Sequence, residues 1–246
     1  MSAPRFLFRI RSRVLAALAA VAVGAGMAVA LPAGHAVAAS GFVVSEAQYN
    51  QMFPSRSSFY SYRGLVAALN AYPAFATTGD DATRKREAAA FLANASHETG
   101  GLHYVVEQNT ANYSHYCDTS QPYGCPAGVS AYYGRGPLQI AWNYNYKAAG
   151  DALGIDLLHN PYAAERDPAV SWKTALWIWN GQKGAGTMTA HDAMAQGKGF
   201  GETIRALNGD LECDGKNPGE RDDRINLYKQ FVEVLGTDIG PGNVSC

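Results

Sequence analysis

The chain has 246 residues, a formal net charge of −1 and only 17% charged residues. That length allows one domain with a sizeable core, and the lack of a basic excess argues against a nucleic-acid partner. With 14 tyrosines, 26 glycines and 4 tryptophans, the composition suits an uncharged, hydroxyl-bearing polymer, because aromatic rings stack on apolar faces while their OH and NH groups bond outward.

Arg5, Arg9, Arg11 and Arg13 form a basic start to the chain, followed by an Ala/Val-rich apolar stretch from Val14 to Leu31. Ala36-Val37-Ala38 then supplies the small-x-small pattern of a signal peptidase site. Residues 1–39 are therefore expected to be a secretory signal, and residues 40–246 the working domain. Removing the four arginines takes the formal charge from −1 to −5, so that domain is mildly acidic. No later apolar run is long enough to span a bilayer. All four cysteines, Cys117, Cys125, Cys213 and Cys246, lie in the exported part. An even count there points to disulfides with three possible pairings; Cys117 with Cys125 and Cys213 with Cys246 is the favoured one. Neither spacing resembles a zinc ribbon, and no metal or other cofactor is expected.

Ser45-Glu46-Ala47-Gln48 reads as a capping box opening a short helix that Pro54 ends. Tyr62 to Leu69 reads as a second helix, stopped before Pro73. A long helix begins at Asp80 or Asp81 and runs to about Thr99, with Gly100-Gly101 as its stop signal. Its apolar stripe, Ala88, Phe91, Leu92 and Ala95, continues to Glu98. A carboxyl at a helix C-terminus, among apolar neighbours, is favoured in its protonated form. Leu102 to Glu107 alternates like a strand and predicts a small hairpin; Glu107 leads into the polar run Gln108-Asn109-Thr110, where a carboxylate stays solvated and charged. The glycines between let the chain reverse, so that two carboxyl groups in unlike settings face one groove. Hydrolysis of a glycosidic bond requires such a pair. Asp167-Pro168 opens another helix, with Gly181 past its end and Trp172, Lys173, Trp177 and Trp179 along it. Phe200 to Leu207 and Gly219 to Leu235 are also helical by pattern.

Ser96-His97-Glu98-Thr99-Gly100-Gly101, the run from Tyr132 to Gln139, the run from Trp172 to Trp179, Leu207 to Cys213, and Asp223-Arg224-Ile225 resemble, in that order, glycoside hydrolase family 19. The resemblance covers about Gly41 to Cys246 and is closest to the compact chitinase domains of streptomycete-type bacteria. It implies a mainly α, lysozyme-like α+β fold with a long cleft. It also implies endo-hydrolysis of β-1,4-linked N-acetylglucosamine polymers with inversion. On the matching positions Glu98 is the general acid and Glu107 the general base. Gln139, Tyr144, Asn145, Lys173 and Asn208 bind sugar, with Tyr132 on the same wall. His97, Glu212 and Arg224 support the charge network around the glutamates. His103, His115 and His191 are read as structural. The implied partners are chitin and chitooligosaccharides, with the protein acting as a monomer and, once the signal is removed, away from the membrane. One position departs from the family: Ala141 stands where a serine usually helps hold the attacking water. Water positioning is then weakened, or rerouted through Asn143 or a backbone carbonyl. The same residues also fit a peptidoglycan-degrading, endolysin-like muramidase, or a secreted chitin-binding protein that has lost catalysis.

Overall fold

Local signals set where most of the helices begin and end. The computed structural model describes residues 41–246; the signal expected over residues 1–39 lies outside them. In α1 (Glu46–Met52) the Ser45 hydroxyl accepts from Gln48 N at 3.3 Å, and Gln48 Oε1 accepts from Ser45 N at 2.9 Å. This is the capping box expected from the sequence. Ser61 caps α2 (Tyr62–Ala68), which passes into a 3₁₀ turn, Leu69–Ala71. Asp80 Oδ1 accepts from Thr83 N at 2.8 Å at the start of α3 (Asp81–Thr99), and Gly100 ends that helix at φ 59°. A left-handed residue at this point favours glycine.

Three further helices follow: α4 (Asn143–Leu153), α5 (Ala163–Arg166) and α6 (Pro168–Gly181). Asp167 caps α6 through Ala169 N and Val170 N, with Pro168 in the first turn. Gly181 is the last residue inside this helix rather than the one beyond it, and Gln182 is the C-cap. The chain continues through α7 (Ala190–Ala195), α8 (Phe200–Glu212) and α9 (Pro218–Val234).

The axis of the core is α3, which packs chiefly on α9 and also on α7 and α8. Every residue from Ala88 to Ala95 has no exposed surface. The alanines let neighbouring helices approach closely, while Phe91 packs against Trp172 and Trp179 at ring distances of 5.8 and 5.4 Å. Those two tryptophans are wholly buried. The third on α6, Trp177, is also nearly buried and reaches a cavity wall. A second cluster gathers Tyr132, Ile140, Tyr146, Leu157 and Trp177 beneath the stretch that precedes α4.

The hairpin expected at Leu102 to Glu107 does not form. Among the described residues there are two isolated bridges, Val106 with Arg135 and Arg135 with Ile140, both antiparallel. Gly100, Gly101 and Leu102 all have positive φ, of 59°, 79° and 60°, so the chain turns where strand-like alternation predicted extension. Its partner is then a segment remote in sequence.

A buried carboxylate locks the far side of α3. Glu87, with no exposed surface, accepts from Trp179 Nε1 at 3.1 Å and Ala76 N at 2.9 Å. His191 Nδ1 lies 2.6 Å from its Oε1, and this bond to Glu87, opposed by burial, holds the imidazole above its usual value. A raised folded-state value means that the stabilisation is fully present below the ordinary imidazole range and lost as pH rises through the raised one. His191→Leu is expected to lose about 1.5–3 kcal/mol near pH 5, the worth of a bond to a charged group. Its deficit should shrink toward pH 9. Thermal unfolding of both proteins across that range checks this, and a pH-independent deficit rejects it.

Candidate active site

Glu98 stands one residue from the end of α3, with its side chain 24% exposed. Its carboxylate accepts from Arg224 Nη2 of α9. Arg224 is itself buried and gives Nε and Nη2 to Glu212 of α8, both at 2.7 Å, and Nη1 to Asn94 at 3.0 Å. Asn94 is fixed in turn by bonds to Ala90 O and Thr203 Oγ1. Glu98 therefore does not sit in the apolar setting expected from its stripe; it sits against an arginine shared with a second carboxylate. Burial pushes the Glu212 carboxyl up, but Arg224 outweighs it and leaves Glu212 below the ordinary carboxylate value. Burial likewise opposes the charge on Arg224, and the two glutamates more than reverse this.

His97, the residue before Glu98, faces α9 instead. Its Nδ1 is 2.7 Å from Asp223 and its Nε2 is 3.1 Å from Glu220. Asn208 donates to Glu212 Oε1, and its backbone (φ −145°, ψ 26°) breaks the helical path of α8.

Glu98 and Asn208 line a cavity of about 390 Å³ together with Gln139, Ala141, Trp142, Asn145 and Trp177. Three amides there share one feature. Gln139 Nε2 donates to Gly136 O at 2.8 Å, Asn145 Nδ2 to Ala141 O at 3.0 Å, and Asn208 Nδ2 to Glu212. No described residue donates to their side-chain oxygens, so each presents a carbonyl acceptor suited to a hydroxyl or an amide N–H. Gln139 and Trp142 hold φ of 47° and 74°. Such left-handed, non-glycine backbone is strained, and it occurs here on the cavity wall.

Glu107 reaches the same neighbourhood through Gly134. Glu107 N donates to Gly134 O at 2.9 Å. A Cβ placed on Gly134 would lie 2.7 Å from Gln139 Oε1 and 3.5 Å from Glu107 Cβ. Gly134 thus lies between Glu107 and a cavity-lining amide, and a side chain there would displace the end of Gln139. Glu107 Oε1 accepts from Tyr116 OH at 2.9 Å and Asn112 Nδ2 at 3.0 Å.

Other expected site residues lie elsewhere. Tyr132 is fully buried, its hydroxyl donating to Leu158 O at 2.7 Å and accepting from Ala127 N at 3.1 Å. It braces the loop from below and forms no wall. Tyr144 stacks on Trp142 at 5.5 Å, beside the cavity lining. Lys173 is half-buried, one helical turn before Trp177, and makes no ion pair among the described residues. Asn143 cannot stand in for the missing serine. It is wholly buried, and its amide is spent on Asp118 N, Asp118 O and Gly124 O. The favoured disulfides, Cys117–Cys125 and Cys213–Cys246, are both present, and the second follows Glu212 directly. Among the described residues no cluster of three or more His, Cys, Asp or Glu could hold a metal, and no helix is long and apolar enough to cross a membrane.

The family model described as glycoside hydrolase 19, chitinase class I, matches residues 43–246. The chain belongs to glycoside hydrolase family 19. It is 46% identical over 189 residues to chitinase 6 of Oryza sativa subsp. japonica, covering 76% of this chain and 66% of that relative. It is also 46% identical over 190 residues to endochitinase B of Zea mays, covering 77% and 63%. The chain spans a little under two thirds of the length of these curated relatives. Among solved structures, chitinase C from Streptomyces griseus HUT6037 is 67% identical with a TM-score of 0.82, over 84% of this chain and 81% of that one. A class IV family 19 chitinase from Zea mays is 43% identical with a TM-score of 0.72, over 83% and 98%. The mostly helical fold is that of family 19, with isolated bridges in place of the expected hairpin.

Proposed function

We propose that this protein is an endochitinase that hydrolyses β-1,4-N-acetylglucosaminide bonds by single displacement, with inversion at the anomeric carbon. Family membership over residues 43–246, with Glu98 held at the edge of a cavity by a buried Arg224–Glu212 pair, carries this reading. Glu98 is the acid. Glu212 takes two of the arginine's N–H groups and is sealed from solvent, whereas Glu98 is the carboxyl of this cluster that a substrate can reach. Glu107, hydrogen-bonded by Tyr116 and Asn112, is the base, and it draws a proton from water as that water attacks. Single displacement needs room for the water, roughly 6.5–9.5 Å between the carboxyl groups. The amide oxygens of Gln139, Asn145 and Asn208 accept from sugar hydroxyls and acetamido N–H groups, while Trp142 and Tyr144 offer apolar faces. Lys173 extends the binding surface along α6, and a groove longer than the cavity receives the polymer.

Residues 1–39 act as a removable export signal and 40–246 as the secreted, monomeric catalytic domain. The two disulfides, which form in oxidising compartments, support that placement. With Ala141 lacking a hydroxyl and Asn143 fully engaged, a backbone carbonyl is the one of the two expected substitutes left to hold the attacking water.

A time course on chitohexaose followed by proton NMR tests the mechanism: the first new reducing ends should be α-anomers. Initial β-anomers would establish double displacement instead. Clearing of bacterial walls without sugar release from colloidal chitin would transfer the activity to peptidoglycan.

A further inference from the structure

The two oxygens of Glu107 are held very differently. Oε1 receives two side-chain donors within 3.0 Å, whereas Oε2 meets only Gly134 N, at 3.4 Å. The latter is longer than an ordinary N–H···O bond. The ring of Tyr116 packs edge-on against Trp142, at 5.7 Å and 89°, and Trp142 lines the cavity. The next residue, Cys117, is tied by its disulfide to Cys125. The tyrosine is thus braced on its apolar side and along its backbone, with its hydroxyl directed at Glu107.

We propose that Tyr116 is a positioning residue for the general base: it occupies Oε1 and leaves Oε2 as the oxygen that takes the proton from water. This rests on the reading of Glu107 given above and deepens it. The main chain at the same residue is fixed independently. Tyr113 OH donates to Glu107 O at 2.9 Å, and the Tyr113 ring stacks on Tyr133 at 3.7 Å. Burial, and then the bond to Glu107, pushes the Tyr116 phenol up to about 12, so it remains a donor throughout the working range. The other ionisable groups around this segment do not compete for Oε1. Arg135 and Glu165 are paired at 2.7 Å behind Tyr133, His115 faces Trp142, and Glu98 is bound to Arg224. A donor on Oε1 alone also selects one rotamer of the carboxylate, and a general base must aim one oxygen at its water.

The test compares Tyr116→Phe with the parent enzyme on chitohexaose. Phenylalanine keeps the ring against Trp142 and removes only the hydroxyl. The expected result is a fall in kcat of about ten- to a hundred-fold, the worth of a bond to a charged group, with KM nearly unchanged. The acidic limb of the pH–rate profile should also move to higher pH, because the charged form of the base loses a donor. An unchanged kcat, or a loss carried by KM with the acidic limb unmoved, overturns the proposal. Glu107→Gln, measured alongside, separates the two readings. If it is inactive while Tyr116→Phe is unaffected, only the tyrosine assignment fails. If it retains turnover, the base assignment fails as well.

Discussion

Arg224→Ala is expected to lower folding stability by about 3–5 kcal/mol at pH 7, the cost of breaking a buried ion pair from one side, and to abolish turnover. The alanine leaves Glu212, 2% exposed, and Glu98 without their shared cation, and Asn94 without its donor. Most of the loss comes from stranded carboxylate charge and little from the missing contact. Two consequences distinguish this cause from simple loss of packing. Glu212 lies below its ordinary value when folded, so its contribution is present above the ordinary carboxylate range and lost as pH falls through the lowered value. The gap between parent and variant should therefore narrow in acid. Arg224→Met combined with Glu212→Leu should cost less than Arg224→Ala alone, since no unpaired charge remains at position 212. Urea unfolding at pH 7 and pH 3 checks both. A gap of equal size at the two values would mean that the arginine acts through packing.

Glu98→Gln should reduce kcat by about 10²- to 10⁴-fold, the usual contribution of a positioned proton donor, while leaving the affinity for chitooligosaccharide nearly intact. The amide is close in shape, and its oxygen can still accept from Arg224, but it has no proton to give to the departing sugar oxygen. Stability should hold or rise slightly, because one negative charge leaves a cluster of two carboxylates around one guanidinium. Single-turnover rates and calorimetric titration with chitotetraose separate these effects. Retention of more than a tenth of the parent turnover would remove Glu98 from the role of acid.

Much of the helical frame could be read from sequence because its signals are local. Ser45, Asp80 and Asp167 cap the very turns they precede, and Gly100 adopts the left-handed conformation expected of a stop. The candidate site residues rest on motif, and motif says little of their environment. Periodicity makes Glu98 the end of an apolar stripe, but its partner, Arg224, comes from α9, more than a hundred residues later in the chain, and is shared with Glu212 of α8. Arg224 enters the sequence reading only through the family resemblance. Its spacing held a usable signal: Arg224, Ile225, Tyr228, Phe231 and Val232 form one buried face at helical period. Tyr132 resembled a wall residue by its motif, yet its hydroxyl closes a loop from within the second cluster. Tyr116 carries no sequence cue and Arg135 none beyond its place in the run from Tyr132 to Gln139, since their roles depend on contacts with Glu107 and Val106 that only the folded chain makes. The helix over Asn143–Leu153 was missed because a motif assigned to sugar binding opens it.

The sealed middle of α3 has a mechanical consequence. From Ala88 to Ala95 the helix has no solvent face, so it is gripped on all sides for more than two turns. Glu98, the proposed proton donor, is mounted just past that grip, like a tool held in a vice. Its wander is then set by its own side-chain torsions and very little by bending of the rod. Loosening the clamp by enlarging or hollowing any of those alanine seats, up to about 15 Å from the chemistry, should blunt catalysis while the molecule still folds.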